Sequence, residues 1–139
     1  LVLELMEGGS LSELILPAKS IAYQNCHVIN WTFQVAKALE YLHKFSFIHR
    51  DGEPSNMWLS LDYVVLKLGD FGTIANHRTD MTTTCGPAAW MAPEVPTGES
   101  YDFRGDGFSL GSLSLRNARA KSAIRRRSRT KFLDRVLGR

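Results

Sequence analysis

The tract His49-Arg50-Asp51-Gly52-Glu53-Pro54-Ser55-Asn56, followed by Asp70-Phe71-Gly72 fourteen residues after Asn56, decides how this chain is read. It gathers two acids and an asparagine into a short polar stretch interrupted by glycine and proline, the residues that punctuate regular structure. Just upstream, Phe47-Ile48 enters the tract as a strand-like segment. Just downstream, Met57 to Leu59 and Val64 to Leu68 alternate as a small hairpin around Asp62-Tyr63.

Further upstream, His27 to Lys44 has helical spacing, with Trp31, Val35, Ala38, Leu39 and Leu42 on one face that reads as core. Leu1 to Met6 is a short apolar run expected to be a strand, broken by Glu7-Gly8-Gly9-Ser10. Ser10 is placed as an N-cap with Glu13 at the capping-box position, opening a short helix that ends near Pro17. Beyond the Asp-Phe-Gly tract, residues 73–90 are polar and threonine-rich and read as a long loop, a length usually reserved for function or disorder. Phe103 to Leu115 is a candidate helix opening near Asp106, weakened by four glycines between 98 and 111.

At 139 residues, with 44% apolar and 22% charged residues, the chain suits one modest domain. Cys26 and Cys85 lack metal-ligand spacing and read as reduced thiols of a cytosolic protein. No run approaches a membrane span, and no signal peptide is recognisable. The first residue, Leu1, lies inside an apolar segment, so the chain is expected to be a fragment at that end. The net charge of +3 hides an asymmetry: residues 1–115 carry a balance of −6, and residues 116–139 one of +9. A shift of this kind marks a boundary. The expected division is a body over 1–115 and a disordered basic tail over 116–139.

Five tracts in order carry a resemblance: Glu4-Leu5-Met6-Glu7-Gly8-Gly9-Ser10-Leu11, His49-Arg50-Asp51 with Asn56, Asp70-Phe71-Gly72, Ala92-Pro93-Glu94, and Asp106 to Gly111 as D-x-F-S-x-G. In these the chain resembles the central part of a protein kinase catalytic domain. Gly86 to Val95, the proline-containing tract at 54, and Leu66 to Thr73 are similar to serine/threonine kinases of the MAP kinase kinase kinase type, and within them to the TGF-beta-activated kinase subfamily. The resemblance implies an α+β fold that is mostly the helical large lobe, with the small lobe largely absent. It implies ATP and Mg²⁺ as cofactors and a protein substrate or signalling partner in the cytoplasm. Neither a membrane nor a nucleic acid is the implied partner. The tail, with Arg125-Arg126-Arg127-Ser128-Arg129, offers at most weak polyanion contact and is expected to be unrelated coding sequence.

Roles follow residue by residue from the resemblance. Asp51 would accept the proton of a Ser or Thr hydroxyl, and Asn56 and Asp70 would hold magnesium. The backbones of Glu4 and Met6 would face the adenine edge, with Trp58 under the ring. Arg50 would pair with a phosphorylated loop, for which Thr79, Thr82, Thr83 and Thr84 are candidate acceptors. His49 is assigned a structural role.

The chain also departs from the family pattern. Glu53 stands at a Lys position that contacts the transferring phosphate. Unit charges about 4 Å apart interact by roughly 4 kcal/mol at an effective dielectric near 20. Replacing attraction with repulsion therefore slows transfer on the order of 10³-fold or more. Trp58 is larger than the usual aliphatic residue and would fill the adenine slot. Gly52 replaces a Leu, Pro87 a Ser or Thr, and Gly107 a Val or Ile. The chain is expected to lack the family's glycine-rich phosphate loop, its V-A-I-K lysine and the partner Glu of that lysine. Three readings stay open: a serine/threonine kinase fragment inactive as given, a non-catalytic pseudokinase-like module, or a degenerate gene product.

Overall fold

The computed structural model describes residues 2–15, 23–77, 90–93 and 102–116. They form a mixed α+β arrangement. In chain order the elements are β1 (Gly9–Ser10), α1 (Leu11–Ile15), α2 (Asn25–Lys44), β2 (Phe47–Ile48), a 3-10 turn at Pro54–Asn56, β3 (Met57–Leu59), β4 (Leu66–Leu68), a 3-10 turn at Phe71–Thr73 and β5 (Ala75–Asn76). A last helix, α3, covers 103–116.

The helix α2 is the organising element. Trp31, Val35 and Leu39 recur at helical spacing and are buried, and Val28 joins them one turn earlier. Each such side chain contributes about 1.5–3 kcal/mol by leaving water. They pack with Leu11 and Leu14 of α1, Met57 and Leu59 of β3, Leu66 of β4 and Leu113 of α3. The helix starts two residues before the expected His27. Gln24 is the N-cap, and a reciprocal capping box joins it to His27. The backbone N–H of Gln24 donates to His27 Nδ1 at 2.9 Å. A histidine at the third helical position does the work usually given to Glu or Gln, so the motif is not legible by type.

The hairpin forms as expected, with Met57 opposite Leu68 and Leu59 opposite Leu66, although its second strand begins at Leu66 and not at Val64. Polar residues of α2 explain the difference. Val64 offers its carbonyl to Asn30 Nδ2 at 3.0 Å and Gln34 Nε2 at 2.9 Å. Trp31 Nε1 donates to the Tyr63 carbonyl at 2.8 Å. The turn's backbone is thus satisfied by a helix rather than by a ladder. β1 adds to the other side of β3 in a three-stranded sheet ordered β1-β3-β4.

Two expectations are corrected. Residues 2–6 are not a strand. An apolar run becomes a strand only when another backbone pairs with it. Here the strand falls at Gly9–Ser10, while Val2, Leu3 and Leu5 are exposed. The capping reading for α1 fares better: Glu13 N–H donates to Ser10 Oγ, at a long 3.4 Å. The helix α3 opens at 103 and not near Asp106. Asp102 caps it, its Oδ1 accepting from Arg104 N–H at 2.7 Å. The glycines at 105, 107 and 111 do not break it. Gly107 lines a shallow groove between α2 and α3, where a side chain would meet nothing. It therefore costs helix propensity and no packing.

The segment 73–90 begins with more order than a loop. β5 pairs with β2, Phe47 opposite Asn76 and Ile48 opposite Ala75. Residues 78–89 and 94–101 lie outside the described residues, as do 117–139. Among the described residues no helix is long and apolar enough to cross a membrane.

Candidate active site

The stretch His49–Asn56 is held from below by one buried carboxylate. Asp106, 1% exposed within α3, accepts from His49 N–H at 3.0 Å on Oδ2 and from Arg50 N–H at 2.9 Å on Oδ1. His43 Nε2 of α2 lies 2.8 Å from the same Oδ2. Arg50 sits at φ 65, in the left-handed region unusual for a residue with a Cβ. The bonds that Asp106 accepts from the N–H of His49 and from that of Arg50 itself hold the loop in its strained turn.

The loop is then tied to the Asp-Phe-Gly stretch. His49 is fully buried, and its Nε2 meets the Gly69 carbonyl at 3.0 Å. A carbonyl only accepts, so Nε2 carries the proton and Nδ1 is left as a buried acceptor with no partner. The ring also meets Phe71 edge-on, with centroids 5.7 Å apart. These contacts give His49 the structural role expected of it. Arg50 Nε donates to the Thr73 carbonyl at 2.6 Å, and Thr73 Oγ1 donates to the His49 carbonyl at 2.9 Å.

These bonds bring the expected acid and ligand residues together. Asn56 is buried; its Nδ2 donates to the Asp51 backbone carbonyl at 3.0 Å, and its own carbonyl accepts Gly69 N–H at 2.8 Å. Asp70 follows Gly69, exposed and at φ 55, with Oδ1 accepting Gly72 N–H at 3.1 Å. Asp51 is half-buried, and its Oδ1 is enclosed without a hydrogen-bond partner. A carboxylate oxygen left bare in a closed place is costly unless something else comes to it.

The donor set suits a hard cation. Asn56 has committed its amide nitrogen, which leaves its oxygen, and Asp70 adds an exposed carboxylate; oxygens of this kind suit Mg²⁺. Among the described residues no group of three or more His, Cys, Asp or Glu forms a cage. Mg²⁺ takes its remaining ligands from water and phosphate, so a cage is not required.

The other expected positions fall as follows. Glu53 is half-buried and precedes the 3-10 turn, its carboxylate accepting the Ser55 hydroxyl. Trp58 faces out of β3 between the buried Met57 and Leu59 and is 41% exposed. Its indole rests on Gly69, where a Cβ would come within 2.9 Å of Cδ1. Glu4 is exposed and pairs with Lys67, and the Met6 carbonyl accepts Gly9 N–H at 3.2 Å. Thr79, Thr82, Thr83, Thr84 and Pro87 lie outside the described residues.

Gly52 does not leave the hole that a deleted leucine implies. A Cβ built there would stand 2.9 Å from Ser109 Cβ, because α3 has closed onto it. The sequence reading missed Asp106 as the anchor, taking it for a helix start. A carboxylate between Gly105 and Gly107 inside a helical stretch was the available signal, since small neighbours permit close approach of another backbone.

A family model described as the protein kinase domain matches residues 1–136, a span that runs past residue 115 into the basic tail. The chain is 42% identical to human mitogen-activated protein kinase kinase kinase 7 over 117 residues, covering 81% of this chain and 19% of that protein. The same-named Drosophila melanogaster protein is 43% identical over 112 residues, covering 78% of this chain and 16% of its own. Mitogen-activated protein kinase kinase kinase mom-4 of Caenorhabditis elegans is 39% identical over 112 residues, covering 81% and 21%. The chain thus spans about a fifth of the length of these relatives. With the family model matched along nearly its whole length, this chain belongs to the protein kinase domain family.

Proposed function

We propose that residues 1–115 are the hinge and the first half of the large lobe of a serine/threonine kinase of the MAP kinase kinase kinase type. The chain as given would transfer phosphate poorly or not at all. The observation that carries the reading is the bonded unit of 49–56 with 69–73, which leaves the Asp51 oxygen buried and unclaimed.

In this reading Asp51 accepts the proton from a Ser or Thr hydroxyl, and the loop's ties to Asp106 hold it in place. Asn56 and Asp70 are the residues that would hold Mg²⁺, which when bound neutralises phosphate charge. Glu4 and Met6 present backbone to the adenine of ATP, and Trp58 forms the floor. The indole stands close to Gly69, 2.9 Å from where a Cβ would be, and it is larger than the aliphatic side chain usual at that floor. Glu53 opposes the phosphate, and its carboxylate accepts the Ser55 hydroxyl. Thr79, Thr82, Thr83 and Thr84 are proposed acceptors of activating phosphate. The partners are a protein substrate or signalling protein of the cytoplasm. Arg116 closes α3, and the basic tail that follows it offers at most weak polyanion contact.

A second reading, a non-catalytic pseudokinase module, is favoured by one residue: Glu53 at the phosphate-contacting position. A chimera separates the two, with this chain replacing the corresponding segment of human mitogen-activated protein kinase kinase kinase 7. With Glu53→Lys it should phosphorylate a Ser/Thr substrate, and adding Asp51→Asn should abolish the transfer. Silence of the Glu53→Lys chimera would overturn the enzyme reading in favour of the binding module.

A further inference from the structure

Gly52 follows Asp51 directly, is buried, and is met by the root of a side chain from another element. The atom 2.9 Å from its missing Cβ is Ser109 Cβ, which is fixed to the α3 backbone and cannot swing away like a chain end. Ser109 is buried, and its hydroxyl donates to the Trp90 carbonyl at 2.8 Å while sharing with the Gly105 carbonyl at 3.2 Å. Nearly two turns further along α3, the Arg116 guanidinium lies 4.2 Å from the centre of the Trp90 ring. Two residues after Trp90, Ala92 is buried against Ile48, which leads into the loop.

We propose that Gly52 and Ser109 are a positioning pair that couples the loop carrying Asp51 to residues 90–93. The absent side chain at 52 lets α3 close on the loop. The hydroxyl brought there by that closure fixes the Trp90 carbonyl, and Arg116 holds the ring of the same residue. A larger residue at 52 holds α3 off the loop and pulls the Ser109 hydroxyl away from Trp90. The coupling rests on this geometry, and its value for phosphate transfer rests on the function proposed for Asp51.

The test needs no nucleotide, so its failure is separate from failure of the kinase reading. The whole chain is labelled with 5-fluorotryptophan, which reports on Trp31, Trp58 and Trp90 by fluorine NMR. Gly52→Ala should move the Trp90 signal beyond its linewidth, leave Trp31 in place, and lower the urea midpoint. In the Ser109→Gly background, where the clashing Cβ is gone, Gly52→Ala should add no further shift and no further loss. Ser109→Ala keeps the Cβ and removes only the hydroxyl, and should move Trp90 alone. Equal damage from Gly52→Ala in both backgrounds overturns the proposal. So does a Trp90 signal unmoved by Ser109→Ala, which decides the matter even if Gly52→Ala does not fold.

Discussion

Asp106 and Asp51 both serve the loop 49–56, and their carboxylates are used in different ways. Asp106 is enclosed by α3 and engages two backbone N–H groups and the His43 ring. Asp51 sits on the loop itself, with Asn56 bonded to its backbone carbonyl and one carboxylate oxygen buried without a partner. The first arrangement makes stability. The second forgoes that stability and leaves an oxygen unclaimed, which on the function proposed is the base that meets a substrate hydroxyl. The difference teaches how to tell a structural acid from a chemical one: count what its oxygens already hold.

The largest expected effect is therefore on folding and belongs to Asp106. Asp106→Ala strands two buried N–H groups, at about 1–3 kcal/mol each. Removing one member of a buried charged network costs about 3–5 kcal/mol in total. Urea denaturation should show that loss, or no cooperative transition at all. Asp51→Asn, by contrast, should change stability by less than about 1 kcal/mol, because no protein bond to its carboxylate Oδ1 is lost. Equal costs for the two substitutions would break the comparison.

The next effect is on rate, and it sets Glu53 against Gly52. In the chimera, Glu53→Lys should raise turnover on the order of 10³-fold, since on the function proposed it reverses a charge beside the transferring phosphate. Gly52→Leu should not raise turnover and should lower stability, because the space is already filled by Ser109. Rescue by Gly52→Leu with no response to Glu53→Lys would show that the electrostatic argument is mistaken.

Much of this was legible from residue types and spacing. The stripe Trp31, Val35, Leu39 announced the core face of α2, because burial follows the helical period. The ordered tracts announced the family, because five of them fall in the order and spacing of the protein kinase domain that matches residues 1–136. What escaped was everything that depends on contact across the chain. Residues 2–6 look like a strand, yet pairing and not composition decides that. The capping role of His27 and the anchoring role of Asp106 each need a partner that spacing does not reveal. Gly52 looked like a lost leucine and is a contact point, because Ser109 of α3 stands against it.

The smallest effect extends the comparison to the surface, where an acid in the β3–β4 turn holds two donors on one oxygen. The Asp62 carboxyl is held below the usual aspartate value, first by the Ser60 hydroxyl at 2.5 Å and then by Val64 N–H at 3.1 Å. Both donors favour the charged form. A folded value below the unfolded one means that its stabilisation is present above the ordinary aspartate pKa, about 3.9, and is lost as pH falls through the folded value. The group is fully exposed, so the consequence is local: the turn at Tyr63 and Val64 should loosen first as acid is added. A carboxyl NMR titration should put the Asp62 midpoint below the ordinary value, and Ser60→Ala should raise it. The same substitution removes the acceptor of Val65 N–H at 3.0 Å, so protection of that amide should fall as well. A midpoint unchanged by Ser60→Ala would mean that the Val64 N–H alone holds the charge. The hydroxyl would then serve the turn without serving the acid.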